Sequence, residues 1–313
     1  MPLALQWERK PVPSHVEIIQ TANERDDFLC RALSGIYPRC ALHQTVPAAT
    51  IAPLATGGAM AVYKITVARP NQSPLCMVGK IPHDRRIVYV SDADQHTAET
   101  TTHSLLTRLV RIAAHLACHA PGIFPRSGGL WHECQADGAI HHLLMEEFIP
   151  GVSVERLTHT YDEQRTLGQL TMSDYQQCRT TVERLAVATF IRLWDTLGRQ
   201  TFTSDPSPWN VLVRQAIPDH PDTRMATIID LHSLEDNATL SFVLQRLAAV
   251  YGMRQEVVEQ LILPGLFDAV GHETGRALLC AELPHLEAQA YQTRRNLGVD
   301  LQQPLLVAVR CLC

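Results

Sequence analysis

Between residues 50 and 82 the chain passes through three short apolar runs, and each break between them falls on a turn signal. The runs cover residues 50–54, 61–67 and 75–81; Gly57-Gly58 separates the first two and Arg69-Pro70-Asn71-Gln72-Ser73-Pro74 the next two. Short segments rich in Val, Ile and Thr, joined by Gly, Pro and Asn, predict adjacent hairpins and therefore a small antiparallel sheet. A sheet of this kind has one apolar face to cover, so the rest of the chain must supply the cover.

The remainder is read mainly as helix. Ser91-Asp92-Ala93-Asp94 has the form of a capping box, and Leu105, Leu106, Leu109, Val110, Ile112, Ala113 and Leu116 then recur at helical spacing. A hairpin is expected around Asp137-Gly138, with residues 141–149 as its second strand and Pro150-Gly151 closing it. Residues 173–198 carry Cys178, Val182, Leu185, Ala186, Thr189 and Leu193 along one side, widened by Val187, Phe190 and Trp194, which predicts a largely buried helix. Beyond Asp230 the pattern is helical to the end, with Pro264, Pro284 and Pro304 expected as breakers. Upstream, residues 1–45 read as an extension holding one helix over residues 21–34.

Composition excludes several classes. The chain has 313 residues, 46% of them hydrophobic and 19% charged, enough for one large domain or two lobes. A net charge of −5 gives no general attraction to nucleic acid or to an anionic membrane. Arg294-Arg295 and the Arg108 and Arg111 pair read as solvated faces, with no basic block interleaved with aromatics. The opening residues lack signal-peptide order and no stretch is long and apolar enough to span a bilayer, so a cytoplasmic protein is expected. Nine cysteines without a Cys-x-x-Cys pair fit reduced, mostly buried thiols. His115 and His119 stand at i, i+4 and His141-His142 are adjacent, but no Glu-rich or Cys-rich set completes a zinc site.

One constellation carries chemistry. Thr203-Ser204-Asp205-Pro206-Ser207-Pro208-Trp209-Asn210 precedes an apolar strand, and a second apolar strand, Thr227-Ile228-Ile229, ends in Asp230. A hairpin of those strands brings Asn210 and Asp230 together, and an amide oxygen beside a carboxylate is a donor set suited to Mg²⁺ shared with phosphate oxygens. Trp209 is expected to brace this loop. Lysine is scarce, Lys10, Lys64 and Lys80 only, which marks Lys80 at the end of the third strand. Glu99, His103, Leu106, Val110 and Ala113 share one helical face, so Glu99 is expected to point inward, where pairing with Lys80 would offset its desolvation.

In this order the motifs resemble the protein-kinase-like phosphotransferases, and within them the aminoglycoside phosphotransferase and choline kinase-like branch, over residues 50–300. The resemblance implies an α+β, bilobal protein-kinase-like fold: a small antiparallel-sheet N-lobe over residues 46–148 and a larger, mainly helical C-lobe over residues 149–313. It implies Asp205 as the residue that accepts the acceptor hydroxyl's proton, Asn210 and Asp230 as metal ligands, Lys80 on the ATP phosphates and Glu99 as its orienting partner. Gly57 and Gly58 match the family's phosphate cover. The run from Leu143 to Gly151 looks like the hinge, with Met145 behind the adenine and the backbone of Glu146 and Phe148 bonding it. ATP and Mg²⁺ are the implied cofactors, and a small-molecule hydroxyl the implied acceptor, with no nucleic-acid or membrane partner. Leu231-His232 after Asp230, in place of Phe-Gly, favours this branch over a protein kinase. Thr203 stands where the family commonly has a bracing histidine, which keeps open a catalytically weak or inactive nucleotide-binding module. The connection over residues 214–225 is longer than is usual in the family and reads as a surface hairpin insertion.

Overall fold

A computed structural model describes residues 17–20, 48–56, 60–69, 71–82, 95–134, 140–215, 224–231, 233–297 and 303–313. The expected helix over residues 21–34, Gly57-Gly58 and the Ser91–Asp94 capping box lie outside them. The chain divides into two compact units, Met1–His115 with Pro125–Phe148 and Leu116–Phe124 with Ile149–Cys313.

The first unit is a six-stranded sheet. Its strands are β1 (Glu17–Gln20), β2 (Ala48–Thr56), β3 (Met60–Arg69), β4 (Gln72–Pro82), β5 (Ser127–Cys134) and β6 (Ile140–Glu147). They lie in the order β1-β2-β3-β4-β6-β5. The hairpins expected at residues 57–58, 69–74 and 137–138 are antiparallel pairs, β2 with β3, β3 with β4 and β5 with β6. Among the described strands only β1, within the extension, pairs in parallel, with β2. Helix α1 (Gln95–His119) follows β4.

Strand alternation gives this sheet two unlike faces. Ile51, Ala61, Tyr63, Ile65, Val67, Ile81, Leu143 and Met145 form one apolar cluster, with Met77 and Trp131 packed against it. Gly79 lies on this face, because a Cβ there would meet Ile65 Cδ1 at 3.0 Å and Leu143 Cδ1 at 3.1 Å. The register pairs Lys80 with Leu144 and His132 with His142, so Lys80, His132, His142, Leu144 and Glu146 occupy the opposite face.

The second unit is mainly helical. Strand β7 (Val152–Ser153) leads into α2 (Val154–Thr166), then α3 (Met172–Thr196) and β8 (Thr201–Thr203). Strands β9 (Val211–Gln215), β10 (Arg224–Ile228) and β11 (Leu234–Asp236) follow, then α4 (Leu240–Tyr251). A short helical run and a π turn, Val258–Ile262, continue into α5 (Leu263–Val270), and α6 (His272–Leu297) and α7 (Gln303–Leu312) complete the unit.

Helix α3 is the unit's core element, with Val182, Ala186 to Ile191, Leu193 and Trp194 buried. The Trp194 indole N–H donates to the Ala238 carbonyl at 2.7 Å, which satisfies the one polar atom this large side chain carries inward.

Three expectations are corrected, and one helix carries no sequence signal. Strand β11 interrupts the segment beyond Asp230 that was read as helical throughout. Pro284 does not break a helix but lies inside α6, at an exposed position; burial of Leu279, Leu286 and Ala290 on the opposite side outweighs the roughly 3 kcal/mol an interior proline costs. Helix α2 had no apolar stripe to announce it, since Val154 is its only buried residue; Ser153 caps it by accepting from the Arg156 N–H. The thiols are neither all reduced nor mostly buried: Cys280 and Cys313 form a disulfide across a Cα–Cα distance of 5.4 Å, and Cys118 and Cys311 are exposed. Packing of α7 on α6 creates that pairing, and sequence spacing carries no trace of it. Among the described residues no helix is long and apolar enough to cross a membrane.

Candidate active site

In the second unit the Asp205 loop runs from β8 to β9 and the Asp230 loop from β10 to β11. These four strands form two ladders, since β8 pairs with β11 and β9 with β10. Two loops that connect the same two ladders must run side by side. They are tied at both ends: the Ser204 N–H donates to the Ser233 carbonyl at 2.8 Å, and the Ile229 N–H donates to the Asn210 carbonyl at 2.9 Å. Asp205 and Asp230 therefore lie on neighbouring loops, and Asp230 follows directly after a residue bonded to Asn210.

The anchors of this arrangement are buried. Phe202 is fully buried and meets Phe190 of α3 edge-on, with ring centroids 6.3 Å apart. Behind the other ladder, the Ile228 N–H donates to the Ile123 carbonyl and the Thr227 hydroxyl to the Gly122 carbonyl.

Within the loop, hydrogen bonds fix the acid and the amide. The Asp205 N–H donates to Thr203 Oγ1 at 3.1 Å, and the Ser207 hydroxyl donates to Asp205 Oδ1. Asn210 Nδ2 donates to Asp205 Oδ2 at 3.1 Å and to the Asp205 carbonyl at 3.3 Å. Both acceptors are oxygens that cannot donate, so the amide orientation is fixed by chemistry and Oδ1 is left as its acceptor end. An amide oxygen and the Asp230 carboxylate are two hard donors, which fits Mg²⁺ held otherwise by phosphate oxygens and water. The Ser233 hydroxyl, on the Asp230 loop, is buried without a partner among the described residues.

Trp209 departs from expectation. It lies in the single turn Pro208–Asn210 but is 53% exposed, so hydrogen bonds and not this indole brace the loop.

In the first unit, Lys80 Nζ pairs with Glu146 Oε2 at 2.8 Å, with side-chain exposures of 11% and 4%. The pair arises because β6 is the neighbour of β4 and alternation places both residues on one face. Sequence reasoning had assigned Glu146 a role through its backbone alone; its side chain had no signal without knowledge of the register. Glu99 lies in α1, one turn before His103, and its side chain is outside the described residues. Met145 is buried in the apolar face. The Phe148 N–H, expected to reach adenine, donates to the Cys76 carbonyl at 3.4 Å, a long bond that a closer acceptor would displace. Its ring receives Lys64 Nζ at 4.3 Å from the centroid.

No family model matches this chain, and no curated protein matches it in sequence. Among solved structures, WaaP in complex with acyl carrier protein is similar over 78% of this chain and 87% of that one, with a TM-score of 0.42 and 14% identity. The BubR1 kinase domain is similar over 72% of this chain and 55% of that one, with a TM-score of 0.37 and 14% identity.

Proposed function

We propose that this protein is a kinase-like phosphotransferase that uses ATP and Mg²⁺ to phosphorylate a hydroxyl of a small molecule. One observation supports this above the rest: the loops bearing Asp205, Asn210 and Asp230 are strapped together at both ends, as a base beside a two-donor cation site would require. In this reading Asp205 accepts the hydroxyl proton as the oxygen forms its bond to the γ-phosphorus, the bond to the bridging β–γ oxygen breaks, and ADP leaves. Asn210 Oδ1 and the Asp230 carboxylate hold the cation. Mg²⁺, when bound, neutralises charge on the transferring phosphoryl group. Lys80 contacts the α/β-phosphates, which asks it to share its charge between Glu146 and the nucleotide.

The acceptor class follows from the motif and from charge. The aminoglycoside phosphotransferase and choline kinase-like branch is the finer reading of Asp205, Asn210 and Asp230 followed by Leu231-His232. From Arg214 onward the sequence holds twelve acidic residues and eight arginines, a mild excess that suits a cationic amino sugar or amino alcohol. The test is transfer of labelled γ-phosphate from ATP to a panel of amino sugars, choline and neutral sugars, with wild type and Asp205→Ala. Transfer by wild type that falls at least about a hundredfold in the variant supports the reading; equal turnover in both removes Asp205 from the mechanism.

A second reading has its own observation. Both carboxylate oxygens of Asp205 already accept hydrogen bonds, from Ser207 and Asn210, as in a loop kept for its shape. A nucleotide-binding module without transfer predicts thermal stabilisation by ATP and no labelled product from any acceptor.

A further inference from the structure

The polar face of the sheet in the first unit carries a cluster that the reaction does not use. His103 reaches it from α1, and its Nδ1 lies 3.3 Å from Nε2 of His142 on β6. His132, directly across from His142 on β5, meets the His103 ring edge-on with centroids 5.2 Å apart. The His103 and His142 centroids are 5.5 Å apart. His142 is 4% exposed, so its ring has little water to carry a charge.

We propose that His103, His132 and His142 form a proton-operated latch that holds α1 on the sheet face bearing Lys80 when neutral and releases it in acid.

The contact between two ring nitrogens decides how it works. A 3.3 Å approach is a hydrogen bond only while one nitrogen carries a proton and the other is bare. Once both rings are imidazolium, two N–H groups face each other and two positive charges share a buried site, which reverses the attraction. Among the described residues, the groups that bear on His142 are like-charged when protonated. His103 from α1, His132 from β5 and His141 on its own strand are all imidazoles. On the same face the Glu146 carboxylate pairs with Lys80 at 2.8 Å. Burial first, then these three rings, push the His142 pKa down from 6.5 to about 4. The sign follows. A group whose folded pKa is depressed binds its proton more readily once its site opens, so the latched state weakens as pH falls from 6.5 toward 4 and is secure above that window.

The latch also bears on the proposed chemistry. Glu99, the expected partner of Lys80, precedes His103 by one helical turn, so releasing His103 releases the segment that carries it. That consequence rests on the phosphotransferase reading; the latch itself does not.

Hydrogen exchange read by mass spectrometry on the full-length protein, corrected for intrinsic rates, tests it at about pH 7 and about pH 5. The expected result is about twentyfold faster exchange of peptides from residues 102–116 at the lower pH, with α3 unchanged. His142→Gln and, independently, the half-buried His103→Gln are expected to remove that pH response. Proton NMR of the wild-type protein gives a readout that needs no variant, with the His142 ring titrating well below 6.5. The same acid acceleration in both variants, no acceleration in wild type, or a His142 ring titrating near 6.5 would overturn the proposal, whether or not the protein transfers phosphate.

Discussion

Thr203 Oγ1 lies 3.1 Å from the backbone nitrogen of Asp205 and accepts its hydrogen. The position where a bracing histidine is expected therefore still braces, by a hydroxyl from within the chain and not by an imidazole. Thr203 is almost wholly buried, so a variant that keeps its shape but lacks the acceptor isolates the bond. Thr203→Val is expected to cost about 1–3 kcal/mol, the penalty for a buried donor left without a partner. Thr203→Ser, which keeps the oxygen, is expected to cost less. Urea unfolding measures both; under the proposed phosphotransferase function, kcat is also expected to fall with Val and to hold with Ser.

Lys80 and Glu146 make a second asymmetric pair. The carboxylate is the more deeply buried partner, so stranding it is expected to be severe. Lys80→Met is expected to destabilise the protein by about 3–5 kcal/mol, because it takes from a buried carboxylate the cation paired with it. The Lys80→Met/Glu146→Gln double variant, with no charge left to strand, is expected to recover part of that loss. Equilibrium denaturation of wild type, single and double variants decides it; a double variant less stable than the Lys80→Met single would refute the argument.

Gly265 in α5 shows a close helix approach. A Cβ there would stand 2.5 Å from Val187 Cγ1 of α3, and Val187 is fully buried with no room to retreat. Alanine gains about 1 kcal/mol over glycine in a helix, whereas overpacking a core costs about 1–3 kcal/mol. The clash is the larger effect, so Gly265→Ala is expected to lower Tm despite its better helix propensity. A raised Tm would mean that α5 shifts without penalty.

The Cys280–Cys313 disulfide closes a span of 33 residues. Chain-entropy arguments assign a cross-link of that length about 3–4 kcal/mol. A reducing agent is expected to lower the unfolding temperature of wild type and to leave a Cys280→Ser/Cys313→Ser variant unmoved. If Arg310 and Glu287, paired at 2.7 Å, hold α7 unaided, reduction changes little.

Much of the fold was legible where local chemistry and tertiary packing agree. Strands β2 to β6 and the long helices α1 and α3 follow from apolar runs, turn residues and 3.6-residue spacing, whereas β1 had no signal within the extension. Helix α2 was not legible, because it buries one residue and is specified by its cap. Pro284 misled, because a breaker's cost is local while the burial that overrides it is not. At the candidate site, Asp205, Asn210 and Asp230 were readable from order along the chain, but their hydrogen bonds were not. Thr203 as an acceptor, Glu146 as the buried partner of Lys80 and Trp209 as an exposed ring all depend on register and loop shape, which a linear motif does not encode.

The two-faced sheet carries a consequence for tolerance to change. Along β6, Leu143 and Met145 sit in the apolar cluster, while His142 and Glu146 alternate with them on the polar side. A saturation scan of this strand should read out with a period of two. At 143 and 145 survivors should be sorted by side-chain volume, with isosteric hydrophobic exchanges passing freely. At 142 and 146, which are also buried, survivors should be sorted in addition by whether they donate or accept a hydrogen bond. One short strand would thus record two separate selection rules, with the buried Leu144 following the volume rule on the second face.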